Sequence, residues 1–291
     1  MSGVPAQVRL FRDGRGELCI EFEGRRLDLS EYFERNDIPP NLVDRLAEGW
    51  FRRDEIVPRL ERDDWRQVEL SGPLKSPLSP RSVGKILCLG KNFKAHAEEF
   101  DEEVPDEPLF FNKLPETLVG HGATVKVSPA YERRVDHEAE LAVVISRNGS
   151  NVPEENALDW VAGYTVANDL TARSTQGYDR KRQFPWFRSK NMDGFCPLGP
   201  CIVPRDFLDI SDLRVTAHVN GELRQDASTK DMVISVPRAI AYLSTQLTLH
   251  SGDLILMGTP AGVGPLEDGD LVTCAVESIG ELETRIARPR S

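Results

Sequence analysis

The chain lacks the marks of several protein classes. Its five cysteines, Cys19, Cys88, Cys196, Cys201 and Cys274, form no CxxC pair and are odd in number, which argues against a disulfide frame or a zinc ribbon. No apolar run is long enough to span a bilayer, and the N-terminal MSGVPAQVRLFRDG has no apolar core of the signal-peptide kind. The expectation is a reduced, cytoplasmic protein with no membrane partner. Positive charge is in deficit, with 36 Lys and Arg against 47 Asp and Glu, a net charge of −11. That balance argues against nucleic acid as a partner, although a local cluster of Arg and Lys can still bind a small anion. HExxH, GxSxG, GxxxxGK[ST] and the Rossmann fingerprint are all missing.

What is present reads as a strand-rich chain. QVRLF and LCIEFEG flank the turn Asp13-Gly14-Arg15-Gly16, and helical patterns follow in NLVDRLAEGWF and DEIVPRLERDD. The prolines and serines of LSGPLKSPLSPRS cannot form regular ladders. They divide the chain into a small N-terminal module over residues 1–75, a linker over 76–83 and a main domain over 84–288. In the main domain KILCLG, PLFFNK and ATVKV read as strands, and FKAHAEEFDEEV as a short acidic segment, helical or mobile. Asn151-Val-Pro-Glu-Glu reads as a helix start leading through NALDWVAG into the strand YTVANDL. RVTAHVNGELRQD is a hairpin turning at Asn220-Gly221, and SVPRAIAYLSTQL is an amphipathic helix capped by Ser235. GDLILMG, DLVTCAVES and GELETRI close the chain as strands. With no steady βαβ alternation, an α+β, β-rich, mostly antiparallel fold is expected.

The stretch RVDHEAELAVVIS raises a chemical question. On a continuous strand Asp136, Glu138 and Glu140 share one face, yet apolar residues follow directly. Either that face is open to water as a charged sheet edge, or something positive sits on it. Oxygen-only ligands suit a hard cation such as Mg²⁺ or Mn²⁺, and Asp169 in VANDLTAR can complete the set with Glu138 and Glu140. His137 points to the opposite face and reads as a structural histidine. His96, in GKNFKAHAEEF, has Glu99 three residues on, so a helix brings the two together. The pair is either surface decoration or a general base held by a carboxylate.

GKNFKAHAEE, DHEAELAVVI, GYTVANDLTARSTQ, PWFRSKNMDGFCPLGP, VNGELRQ and GDLILMGTPAGVG, in this order, resemble the fumarylacetoacetate hydrolase family. The resemblance implies a mixed β-sandwich or roll with Mg²⁺ or Mn²⁺ held by Glu138, Glu140 and Asp169. It implies a catalytic dyad of His96 and Glu99, and a catalytic Lys190 facing the substrate. Arg173, Gln176 and Thr259 would bind substrate. Two positions depart from the family pattern. Phe93 stands where Tyr is usual, and Leu89 stands where the fumarylacetoacetases proper carry a further metal carboxylate. The chain therefore resembles the shorter branch of acylpyruvases, oxaloacetate decarboxylases and hydroxymuconate-type isomerases.

The activity expected from the resemblance is metal-dependent hydrolysis of a C–C bond in a small 2,4-diketo acid, with water activated by His96. Decarboxylation of an oxaloacetate-type acid or isomerisation of a dienol or keto acid on the same site are the alternatives, and a non-catalytic small-molecule-binding paralogue is a lesser one. A homodimer is expected, as in family members.

Overall fold

The computed structural model describes residues 7–99, 107–128 and 134–288. It has two main sheets. The larger runs, in spatial order, through Arg25–Asp28, Leu18–Phe22, Val8–Arg12, Cys196–Pro204, Val161–Asn168, Ala139–Ile145, Leu254–Leu256, Ile86–Gly90 and Leu109–Lys113, with the short Leu118–Val119 beside Cys196–Pro204. The smaller runs through Glu222–Ser228, Arg214–Val219, Leu271–Val276, Gly280–Ala287 and Ala123–Lys126. Most neighbours are antiparallel, the exceptions including Leu254–Leu256 with Ile86–Gly90. The central strands of the larger sheet pack against Leu271–Val276 and Gly280–Ala287 of the smaller, giving the β-rich sandwich expected.

Ala139–Ile145 and Val161–Asn168 are buried along their whole length, so the apolar run LAVVI lies inside the molecule. Such a strand reads as continuous hydrophobicity because both faces exclude water. The N-terminal strands continue this sheet, with Leu10 paired to Ile202. The proline-rich stretch is seated too: Ser76 and Leu78 are buried, and Lys75 bridges to Arg12. Asn220 and Gly221 both take positive φ (52° and 82°), the signature of the type I′ turn read from Asn-Gly. Ser235 accepts from the Arg238 amide and opens the helix Val236–Gln246.

Two local expectations are corrected, and two elements are added. The acidic stretch is not one strand: Val135–Asp136 pairs with Thr171–Ala172, the chain breaks at His137-Glu138, and the buried strand starts at Ala139. The break arises because the Glu138 amide bonds the Asn168 side chain (3.0 Å) and the Glu138 carbonyl accepts from the Asp169 amide (2.8 Å). Asn151 does not cap a helix. It takes φ 51°, its amide bonds the Ser244 carbonyl, and a 3₁₀ turn begins only at Glu154. The strand Arg25–Asp28 and helix Leu29–Arg35 carry no strong periodic signal and were not anticipated; Asp28 caps that helix through the Glu31 amide. Of FKAHAEEFDEEV, Lys94–Glu99 is helical, and residues 100–104 lie outside the described residues.

Candidate active site and metal centre

The site lies where the larger sheet's central strands end. Glu138 stands one residue before the buried strand Ala139–Ile145 and Glu140 is its second residue, while Asp169 is the residue after Val161–Asn168. One carboxylate oxygen from each lies within 4.8 Å of the others, and all three residues are buried. Oxygen donors this close and this dry suit a hard divalent cation that keeps open positions for further ligands. The donor set therefore fits Mg²⁺ or Mn²⁺.

The protein also supplies its own positive partners. Lys190 Nζ donates to Glu138 Oε2 (2.8 Å) and Asp169 Oδ2 (2.5 Å), and is itself buried. Lys113 Nζ, equally buried, donates to Asp169 Oδ1 (2.6 Å) and to the Leu170 carbonyl (3.3 Å). Arg173 bridges Asp136 Oδ2 (2.9 Å) and Glu138, and Arg134 pairs with Asp136. Asp136 thus belongs to an arginine clamp beside the triad. The four acids face four cations, so the buried cluster is compensated from within the chain. For Glu138, burial raises the pKa, but Lys190, Arg173 and His96 outweigh it and hold the group far below the ordinary carboxylate range. Glu140 is the opposite case. Burial, then the charges of Asp169 and Glu138, push it well above that range, against the hydrogen bond from Gly258.

Two glycines are required by the close approach of backbone to these acids. The Gly258 amide donates to Glu140 Oε2 (2.7 Å) at φ 86°, and a Cβ there would meet Asn92 Cβ at 2.8 Å. The Gly262 amide donates to Glu99 Oε1 (3.2 Å) at φ 100°, where a Cβ would meet the Arg224 carbonyl at 2.0 Å. GTPAGVG is therefore part of the site's wall. Gln225, fully buried, bonds the Ala139 amide (3.0 Å), Thr259 Oγ1 (2.8 Å) and the Pro260 carbonyl (2.7 Å), and Thr259 donates to the Ala139 carbonyl (3.0 Å).

Above the triad, His96 Nδ1 lies 3.2 Å from Glu99 Oε2 on the helix Lys94–Glu99. Burial lowers the His96 pKa below its usual value, despite Glu138 and Glu99, so the ring is neutral near pH 7. Asn92 anchors this segment: its side chain donates to the Ile234 and Met257 carbonyls (3.0 and 2.7 Å) and accepts from the Ile234 amide (2.6 Å). A cleft of about 220 Å³ brings together His96, Glu138, Glu140, Arg173, Gln176, Lys190 and Thr259 of the residues singled out in the sequence. Glu99 stands behind His96, and Asp169 behind Lys190. Asp179 holds Arg188 by two bonds to Nε (3.0 and 2.8 Å), tying the helix Arg173–Lys181 to the helix Phe187–Lys190 that presents Lys190.

The residues missed in the sequence are Lys113, Asn92 and Gln225. Lys113 had a signal, since it alternates with Phe111 on the cleft-facing side of PLFFNK. Nothing local marked Asn92 or Gln225, whose partners lie far along the chain.

Residues 85–287 match the family described as fumarylacetoacetate (FAA) hydrolase C-terminal. The chain belongs to the fumarylacetoacetate hydrolase family. Among its relatives in that family, the chain is similar to the oxaloacetate tautomerase YisK of Bacillus subtilis, 36% identical over 280 residues that cover 87% of this chain and 89% of that one. A similar solved structure is maleylpyruvate hydrolase from Sphingobium sp. SYK-6 in complex with manganese(II) and pyruvate, at 29% identity, TM-score 0.77, and coverage of 97% and 100%. Another is fumarylpyruvate hydrolase from Pseudomonas aeruginosa with Mn²⁺ and pyruvate, at 32% identity, TM-score 0.67, and coverage of 71% and 91%. Among the described residues no helix is long and apolar enough to cross a membrane.

Proposed function

We propose that this fumarylacetoacetate hydrolase family member is a divalent-metal enzyme that moves a proton between the keto and enol forms of a small 2-oxo acid of the oxaloacetate class. The observation that carries it is one cleft holding His96 backed by Glu99 beside three carboxylates that fit Mg²⁺ or Mn²⁺. A relic binding paralogue has no need to keep both. The cleft is about 220 Å³, below the roughly 300–1,000 Å³ usual for larger ligands, which favours a substrate of a few carbons. The name of the full-length relative, an oxaloacetate tautomerase, points the same way.

Glu138, Glu140 and Asp169 would hold the cation, which when bound polarises the 2-oxo carbonyl and acidifies the neighbouring C–H. His96 takes the proton from that carbon, and Glu99 keeps the ring aimed and stabilises its charged form. The same ring then returns the proton to the carbonyl oxygen to give the enol, and the reverse path restores the ketone. Lys190 and Arg173 place positive charge where negative charge develops on the substrate oxygens. Gln176 and Thr259 line the walls and orient the acid.

Hydrolysis of a 2,4-diketo acid is the second reading, favoured by the same pair acting on water and by two solved neighbours named as fumarylpyruvate hydrolase and maleylpyruvate hydrolase, each with manganese and pyruvate bound. There His96 takes a proton from water, the hydroxide adds to the distal carbonyl, and the C–C bond breaks as the adduct collapses to a carboxylic acid. The electron pair leaves as the enolate of the 2-oxo acid, which is protonated at carbon by His96. Decarboxylation needs the cation but no activated water. The test is a panel with Mn²⁺: loss of the oxaloacetate enol followed by ultraviolet absorbance, acylpyruvate cleavage followed by pyruvate release, and oxaloacetate decarboxylation followed by CO₂. Enol loss accelerated by wild type and not by His96→Ala supports the first reading. Acylpyruvate cleavage with no effect on the enol overturns it in favour of the second. The chain is proposed to work as a homodimer, as the family resemblance implies.

A further inference from the structure

The N-terminal module and the proline-rich stretch enclose a second cavity of about 600 Å³, which shares no lining residue with the catalytic cleft. That volume lies within the roughly 300–1,000 Å³ usual for small-molecule sites. Its walls are largely proline and aliphatic: Pro39, Pro40, Leu42 and Val43 on the module side, Pro77 and Leu78 on the other. Proline fixes its own φ, so these walls are set before a ligand arrives. The Val43 carbonyl accepts from the Ser251 hydroxyl (3.4 Å), which ties the module side to the main domain.

Two cations line this space, Arg12 and Arg81, against one acid, Glu17. Among the described residues neither cation forms a salt bridge, and the Arg12 guanidinium makes one long hydrogen bond, to the Ser76 carbonyl (3.4 Å). Burial lowers the Arg12 pKa. Arg205 is raised in spite of its burial, because Asp159 and Asp206 accept from it. Arg12 is thus a partly desolvated charge without a counter-ion, which is costly unless an anion uses it. A Cβ on Gly16 would lie 3.4 Å from Arg12 Nη2 and 3.6 Å from Lys75 Nζ, so a second positive charge stands over the same turn. Ser30, also in the wall, accepts from the Leu18 amide (2.8 Å) and keeps its own proton to donate.

We propose that this cavity is a second, non-catalytic binding site for a carboxylate carried on an apolar body, the carboxylate on Arg12 and the body against the proline wall. The guanidinium fork matches a carboxylate in charge and in geometry. The aliphatic and proline surface gains contact with a ring or short hydrocarbon and nothing from a bare inorganic anion. The site is independent of the reaction assigned to the catalytic cleft.

The test is calorimetric titration of the full-length protein with benzoate, benzyl alcohol and inorganic sulfate, together with crystals soaked in 4-iodobenzoate, whose iodine locates the ligand. Benzoate should bind about tenfold or more tightly than either benzyl alcohol or sulfate, the scale of a charge-assisted hydrogen bond. Arg12→Gln should weaken benzoate about tenfold and leave benzyl alcohol within about twofold, and Arg12→Lys should keep part of the preference. Pro40 is exposed, so Pro40→Glu carries little folding risk and sets a like charge on the wall. It too should weaken benzoate and spare benzyl alcohol, whether or not Arg12→Gln folds. The iodine should lie in the second cavity. Benzoate bound no more tightly than benzyl alcohol, benzoate affinity unchanged in the folded variants, or iodine found only in the catalytic cleft overturns the proposal. Sulfate bound as tightly as benzoate overturns it as well, since the apolar wall would then play no part.

Discussion

Lys113→Met tests whether the acid cluster is compensated from within. Lys113 and Asp169 both have fully buried side chains, joined at 2.6 Å. Breaking a buried ion pair by removing one partner costs ~3–5 kcal/mol, because the remaining charge is stranded. Asp169 keeps Lys190 on its other oxygen, and Met fills most of the lysine's volume, so the lower end, ~3 kcal/mol, is expected. The size of the loss then depends on metal. A cation on the triad supplies the charge that Lys113 no longer does, so saturating Mn²⁺ should stabilise the variant more than wild type. At a Mn²⁺ concentration about a hundredfold above the wild-type dissociation constant, binding adds ~2.7 kcal/mol to wild type. The variant, binding the cation more tightly, should gain more at that same concentration, so the difference between them should narrow. The assay is reversible urea unfolding of both proteins with EDTA and with Mn²⁺. A loss below about 1 kcal/mol in EDTA, which is no more than an exposed pair contributes, would refute the buried-pair argument. A gap unchanged by Mn²⁺ would refute the link to the metal centre.

Other outcomes follow from the same geometry. His96→Ala should lower kcat by ~10²–10⁴-fold while Mn²⁺ affinity, read by electron paramagnetic resonance, stays nearly constant; a large fall in metal affinity would make His96 a ligand rather than a base. Glu99→Gln should lose less, since the amide still orients the ring, and a loss equal to that of His96→Ala would give Glu99 a direct part in proton transfer. Because burial lowers the His96 pKa, the ring stays neutral to lower pH than a free histidine, and the acid limb of kcat/KM should fall below about 6.5. A limb above that value would contradict the depressed pKa. Light scattering at micromolar concentration should give a dimer mass, and a strict monomer would remove the homodimer from the proposal.

The strand pattern, the Asn220-Gly221 turn and the Ser235 cap were legible in the sequence because each depends on neighbours in the chain. The pairing of Glu138 with Glu140 was legible for the same reason, and so was His96 with Glu99 at helical spacing. Asp136 was misread with them, because alternation assumes an unbroken strand and the Asn168 side chain interrupts this one. That bond spans 30 residues, beyond any local pattern. The positive partners could not be read from local pattern either: Lys113 reaches Asp169 across 56 residues, and Lys190, named only through the family resemblance, reaches Glu138 across 52. A buried lysine looks in sequence like any surface lysine, since composition records the charge and not its solvation. The sequence alone thus determined the kinds of groups available, oxygen ligands and a histidine–carboxylate pair, through covalent spacing. Only the tertiary structure decided which charges share one desolvated volume. There, low dielectric makes each uncompensated charge costly, and the acids, the lysines and the arginine clamp must settle their balance together.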